Sequence, residues 1–340
     1  MTRSSICAVA TLWLLAISAS QAFAVNKRPG LEQDALTKVR SWSYQLQSID
    51  PKKLERSANQ LLVVDYSLDG GDETALTPEH LASLRRAPDG SRRVVLSYLS
   101  IGEAEKYRSY WQDIWSTDPP AWLKHENKNW CENFIVDFSH PQWHAIIYAG
   151  TEGQKSYIDK IVEAGFDGIY LDRVDVYSEL GDAGQNYRQK MIEFVGAISR
   201  TAKVKAAERG PDPFFVVAQN AEELLTSRVY RSHIDGLGKE DLLYGASVHG
   251  KPNSEEDIRH SAQLIEKLLN ENKPVFGVEY LDSAQEIDET KSRLTKLGLI
   301  PLIAPRALDK LDVSDSSPAA LSKQPQRQEN TRAMCGSATD

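Results

Sequence analysis

The chain is poor in cysteine: three among 340 residues, Cys7, Cys131 and Cys335. That excludes a disulfide-dense scaffold, and with no CxxC or HExxH pattern and seven scattered histidines it gives no metal-binding motif. A basic excess is missing too. The formal charge is −8, which argues against nucleic acid as the main partner, because neutralising phosphates requires a basic face. No GxGxxG follows a first strand, which counts against a dinucleotide-binding fold. Beyond the N-terminus no apolar run reaches the roughly 18 residues that span a bilayer. The remaining composition, 41% hydrophobic and 26% charged with 20 glycines and 15 prolines, is that of a globular protein large enough for a core without staples.

Residues 1–24 read as a secretory signal: Arg3, an apolar stretch from Ile6 to Ile17, then Ala22, Phe23 and Ala24 as an A-x-A site. The expected protein is therefore exported, secreted or periplasmic, and free of the membrane once the signal is cleaved. In an oxidising compartment Cys131 and Cys335 could pair or stay as two free thiols. Residues 25–38 read as a loose lead-in, and 307–340, rich in Ser, Asp, Gln and Ala, as a disordered tail.

Residues 39–306 alternate short apolar or β-branched runs with helix-patterned stretches. The runs are 41–47, 60–67, 93–101, 134–138, 167–172, 214–220, 234–240, 274–280 and 300–305; the helices fall at 155–164, 189–208, 255–270 and 284–297. This spacing predicts βαβ units and a parallel sheet, and the continuous apolar character of VVL and FFVV predicts strands buried on both faces. FIVDF (134–138) is the ninth run. Since SHPQW follows it, with Pro141 suited to a first helical turn, it reads as an accessory strand in a long third βα loop. Eight strands remain, and the expected fold is α/β, a single-domain (β/α)8 TIM barrel; a doubly wound open sheet is the alternative.

In such a barrel the chemistry sits at the C-terminal strand ends. Here those ends are acidic. Asp65 and Tyr66 close the second run, Gly102 and Glu103 follow the third, and Asp172 ends the fourth with Asp175 three residues on. Gln219, Asn220 and Glu222 follow the fifth, Glu240 ends the sixth, and Glu279 and Tyr280 end the seventh. One such carboxylate can simply cap a helix. A converging set repels itself and is better explained by a task that uses acids. Glycoside hydrolysis is such a task, because two carboxyl groups must flank one bond, one neutral and one ionised. Four tryptophans, Trp111, Trp115, Trp122 and Trp130, lie in the loop after the third run. They could stack on sugar rings or pack the loop onto the barrel.

At these residues the sequence resembles glycoside hydrolase family 114, the endo-α-1,4-polygalactosaminidases. The matching pieces, in family order, are SWSYQLQ, LLVVDYSLDG, VVLSYLSIGEAEKYRSYW, FIVDFSHPQW, GFDGIYLDRVDVY, VVAQNAEEL and IDGLGKE. The resemblance implies a (β/α)8 barrel that cuts α-1,4-linked galactosamine polymers from within, without metal or organic cofactor; the acidic cleft suits a cationic amino-sugar polysaccharide, and the protein is expected to be a monomer. It places the catalytic Asp on Asp172 and the catalytic Glu on Glu240, where Lys239 stands in place of the fungal Asn. Asp65, Gly102, Glu103, Asp175 and Asn220 fall on positions expected to line the cleft, joined by Tyr66 and Tyr280 as candidate substrate contacts. Glu222 is a rival acid. Other readings are a non-catalytic carbohydrate-binding barrel and a hydrolase of another amino-sugar exopolysaccharide.

Overall fold

The computed structural model describes residues 30–181, 186–246, 248–281 and 284–311. The expected signal at 1–24 and most of the expected tail at 307–340 lie outside them. Eleven strands are described: β1 (Trp42–Gln45), β2 (Leu61–Val64), β3 (Val94–Ser100), β4 (Glu103–Glu105), β5 (Leu123–Glu126), β6 (Asn133–Val136), β7 (Gly168–Asp172), β8 (Phe215–Gln219), β9 (Gly236–Glu240), β10 (Val275–Glu279) and β11 (Ile300–Ile303). Eight of them form one parallel sheet in the order β1-β2-β3-β7-β8-β9-β10-β11. The helices are α1 (Pro51–Glu55), α2 (Pro78–Leu84), α3 (Pro141–His144), α4 (Tyr157–Ala164), α5 (Tyr187–Ala207), α6 (Arg228–His233), α7 (Glu255–Leu269) and α8 (Ala284–Lys296). The result is a nearly closed (β/α)8 barrel, and its seam is bridged by the Trp42 indole N–H, which donates to the Ile300 carbonyl at 3.0 Å.

The strand period of two divides the core. Leu61, Val63, Leu96, Tyr170, Val217, Phe276 and Val278 fill the barrel interior, while Leu62, Val64, Val95, Ile169, Leu171 and Val216 face the helices. Helix starts follow local chemistry. Pro51, Pro78 and Pro141 each occupy the first helical turn behind the caps Asp50, Thr77 and His140. Ser156 and Asp159 form a capping box on α4, and Gly165 ends that helix at φ 99°.

FIVDF supplies β6, the middle strand of a three-stranded antiparallel sheet, β4-β6-β5, inserted between β3 and α4. The strands β4 and β5 carry no apolar run, which is why the sequence did not reveal them. This excursion is held by a row of indoles: Trp111 to Trp115 at 5.3 Å, Trp115 to Trp122 at 5.1 Å and Trp122 to Trp143 at 5.2 Å between ring centroids. Trp115, Trp122 and Trp143 are buried there. Stacking on sugar is thereby excluded for those three, which pack the loop; Trp130 instead lines the cleft described below. At the two ends of the described residues, Leu31 and Leu36 pack into the barrel interior, and the Leu308 carbonyl accepts from Leu46 and Gln47 at 2.9 and 3.1 Å. Residues 30–38 and 307–311 are thus tied to the barrel through Leu31, Leu36 and Leu308. Among the described residues no helix is long and apolar enough to cross a membrane.

Candidate active site

Three neighbouring strands end in the same way. Asp172 closes β7, Gln219 closes β8 and Glu240 closes β9, and each is followed by residues with left-handed backbone: Arg173 (φ 58°), Asn220 and Ala221 (φ 53° and 52°) and Asp241 (φ 51°). Left-handed non-glycine residues cost roughly 1–2 kcal/mol each. Here each turn is anchored. Arg173 pairs with Glu103 at 2.6 Å and with Glu179 at 2.5 Å. Asn220 exchanges two hydrogen bonds with Glu240, accepting its N–H at 3.0 Å and donating to its carboxylate at 3.1 Å. Asp241 pairs with Arg306 at 2.6 Å.

These ends open into a cavity of about 640 Å³. Asp172 and Glu240 share one wall. Asp172 accepts from the Tyr98 hydroxyl at 2.7 Å and from its neighbour's N–H, that of Arg173, at 2.7 Å. Glu240 accepts from the Tyr280 hydroxyl and from Asn220. The amide of Gln219 donates to both, at 2.8 Å to Asp172 Oδ1 and 2.6 Å to Glu240 Oε2. Those two oxygens therefore lie within about 5.4 Å of each other, the reach of the two bonds end to end. Burial is the main force raising both carboxyl groups above the ordinary range, and for Asp172 the charge of Glu240 adds to it. Two acids so placed titrate as a pair.

The other sequence candidates separate into two groups. Asp65, Glu103, Asp175, Asn220, Glu222 and Tyr280 line the cavity. Several are already committed. Asp65 is buried against Arg108 at 2.7 Å, and that guanidinium also holds Glu105 at 2.6 Å. Glu222, the rival acid, pairs with Lys239 at 3.0 Å and accepts from Ser261 at 2.6 Å; these partners outweigh its burial and hold its carboxyl below the usual range. Tyr66 and Gly102 are not among the lining residues. The Tyr66 ring packs edge-on against Tyr157 at 5.4 Å. Gly102 lies where a Cβ would sit 2.4 Å from the Arg173 carbonyl, so its role is to let two rim segments pass each other. Glu279, at another acidic strand end, accepts from the N–H groups of Leu243 and Tyr244 and holds a loop instead of facing the cavity.

Three residues escaped the sequence reading as site residues: Gln219, Tyr98 and Tyr44. Gln219 was visible at a strand end but, as a neutral amide, carried no acid signal. The two tyrosines sit in the barrel interior, where their alternation was the available clue. Cys131, on the cavity rim, is disulfide-bonded, and the other two cysteines lie outside the described residues. Among the described residues no group of three or more His, Cys, Asp or Glu side chains is arranged to hold a metal ion.

Comparison with known proteins agrees with this picture. The profile of glycoside-hydrolase family GH114 matches residues 22–319. An uncharacterized protein of Methanocaldococcus jannaschii is 32% identical over 289 residues, covering 80% of this chain and 78% of its own length. An uncharacterized protein of Deinococcus radiodurans is 33% identical over 292 residues, covering 84% and 87%. Among solved structures, the glycoside hydrolase domain of PelA from Pseudomonas aeruginosa superposes with a TM-score of 0.61 at 18% identity, covering 81% of this chain and 98% of that one.

Proposed function

Because the chain belongs to glycoside-hydrolase family GH114, we propose that it is an exported endo-acting enzyme that hydrolyses an α-1,4-linked, galactosamine-containing polysaccharide. The observation that carries this reading is the Gln219 amide donating to both Asp172 and Glu240. It supports a pair of acids working on one linkage. The close approach of their oxygens favours the retaining spacing of about 5–5.5 Å over the roughly 6.5–9.5 Å that leaves room for a water. Asp172 attacks the anomeric carbon as nucleophile. Glu240 protonates the departing glycosidic oxygen and then deprotonates the water that releases the sugar. The lining carries nine acidic side chains against three cations, Arg173, Lys239 and Arg306, which suits a polymer of protonated amino sugars.

One observation favours the reverse division of roles. Burial, and after it the Glu240 charge, raises the Asp172 carboxyl, the direction that suits a proton donor. Azide rescue distinguishes the two. A nucleophile variant rescued by azide yields the inverted glycosyl azide, and an acid/base variant the retained one.

The direct test is release of reducing ends from partly N-acetylated galactosamine polymer, with other amino-sugar polymers in parallel. Asp172→Asn and Glu240→Gln should each lower kcat by about 10³-fold or more while keeping the wild-type circular dichroism spectrum. Full activity in either variant removes that residue from the mechanism.

A further inference from the structure

Two partly buried carboxyl groups that face each other need something between them. A lysine there would hold both permanently ionised and leave no acid to protonate a leaving group. An apolar side chain would leave them to repel. The position is filled by a neutral amide with two N–H bonds, one for each carboxylate. Its orientation is dictated by chemistry, because turning it over would aim Oε1 at two carboxylate oxygens at 2.8 and 2.6 Å. Oε1 instead points back into the barrel, where it accepts the Tyr44 hydroxyl at 3.2 Å. Both Gln219 and Tyr44 are buried, and Tyr44 is packed against Tyr170 at 5.2 Å and Tyr98 at 6.5 Å.

We propose that Gln219 is the positioning residue of this site: its amide spaces the two carboxylates for one linkage while leaving a single proton free to reside on either, and Tyr44 holds that amide from behind. The proposal rests on the two-carboxylate reading above. Other groups face the pair as well. Tyr98 of β3 and Arg173 and Asp175 after β7 face Asp172; Tyr280 of β10, Asn220, Asp241 and Arg306 face Glu240, with Tyr170 beneath both. All of these remain when Gln219 alone is changed.

The experiment is a carboxyl 13C NMR titration of full-length protein labelled at the Asp and Glu side-chain carboxyl carbons, with Asp172→Asn and Glu240→Gln spectra as assignments. Gln219→Leu removes a donor to both anions, so both titrations should move up by about one pH unit. On amino-sugar polymer, both limbs of the pH–rate profile should move the same way, with kcat/KM lowered about 10²-fold and mainly through kcat. Gln219→Glu keeps the shape and adds a third acid; it should raise the titrations further and serves where the leucine variant does not fold. Tyr44→Phe should shift the titrations upward in the wild-type background and cause no added shift in Gln219→Leu. Unmoved titrations in both Gln219 variants, or a Tyr44→Phe effect undiminished without Gln219, overturn the proposal. Absence of turnover by the wild-type protein on every amino-sugar polymer would instead overturn the hydrolase reading, and the titrations would still decide the role of Gln219.

Discussion

Glu279 is fully buried at the end of β10, and its carboxylate is met by two backbone N–H groups, from Leu243 at 2.7 Å and Tyr244 at 3.2 Å. Burial pushes its pKa up to about 7, with Asp241 adding to the rise and the two N–H bonds opposing it. A carboxyl raised in the folded state stabilises fully below its unfolded value, and the contribution is lost as pH rises through the folded one. Glu279 should therefore cost stability between the ordinary carboxylate range and about pH 7, by at most about 3 kcal/mol. Urea unfolding of the wild type across roughly pH 5 to 8 should show that decline, and Glu279→Gln should flatten it. Parallel curves for the two proteins would contradict the assignment. At this scale the sequence located acids at strand ends but not their tasks, since Asp172 and Glu279 read alike and only burial and partners separate them.

Among the elements, β7 carries a load at each end. Its upper end is the left-handed turn after Asp172. Just before its lower end, Asp167 accepts from Arg92 at 2.6 and 3.1 Å, from the Val95 N–H at 3.0 Å, and pairs with Arg85 at 3.0 Å. That cluster ties β7 to β3 on the face of the barrel away from the cleft, where such a group serves stability. Asp167→Ala would leave a buried N–H unmet and two guanidinium groups without their shared anion. It should destabilise the protein by about 3 kcal/mol in urea unfolding, with little change in KM. A loss under about 1 kcal/mol would mean the cluster is solvent-screened surface charge. The barrel strands were legible because strands buried on both faces read as apolar runs. The indole row was not, because Trp122 and Trp130 have the same residue type in the same loop and opposite environments.

For the molecule as a whole, the governing feature is an acidic cleft whose cations are already paired: Arg173 with Glu103, Lys239 with Glu222 and Arg306 with Asp241. The remaining field is negative and screened by salt. On an unacetylated galactosamine polymer, kcat/KM should fall about tenfold as salt rises from roughly 0.02 to 0.5 M. On a fully N-acetylated polymer it should change less than about twofold. Equal salt dependence on both would show that the field does not act on the substrate.

The sequence by itself determined the βα alternation, the eight barrel strands, the accessory FIVDF strand and the acidity of the rim at the strand ends. All of these are written in local periodicity and residue type. The tertiary structure alone decided which acids meet. Bringing Asp172 and Glu240 onto the two N–H bonds of Gln219 depends on the register of three adjacent strands and on the turns that follow them. That register is a property of the assembled sheet, and no segment of the chain contains it.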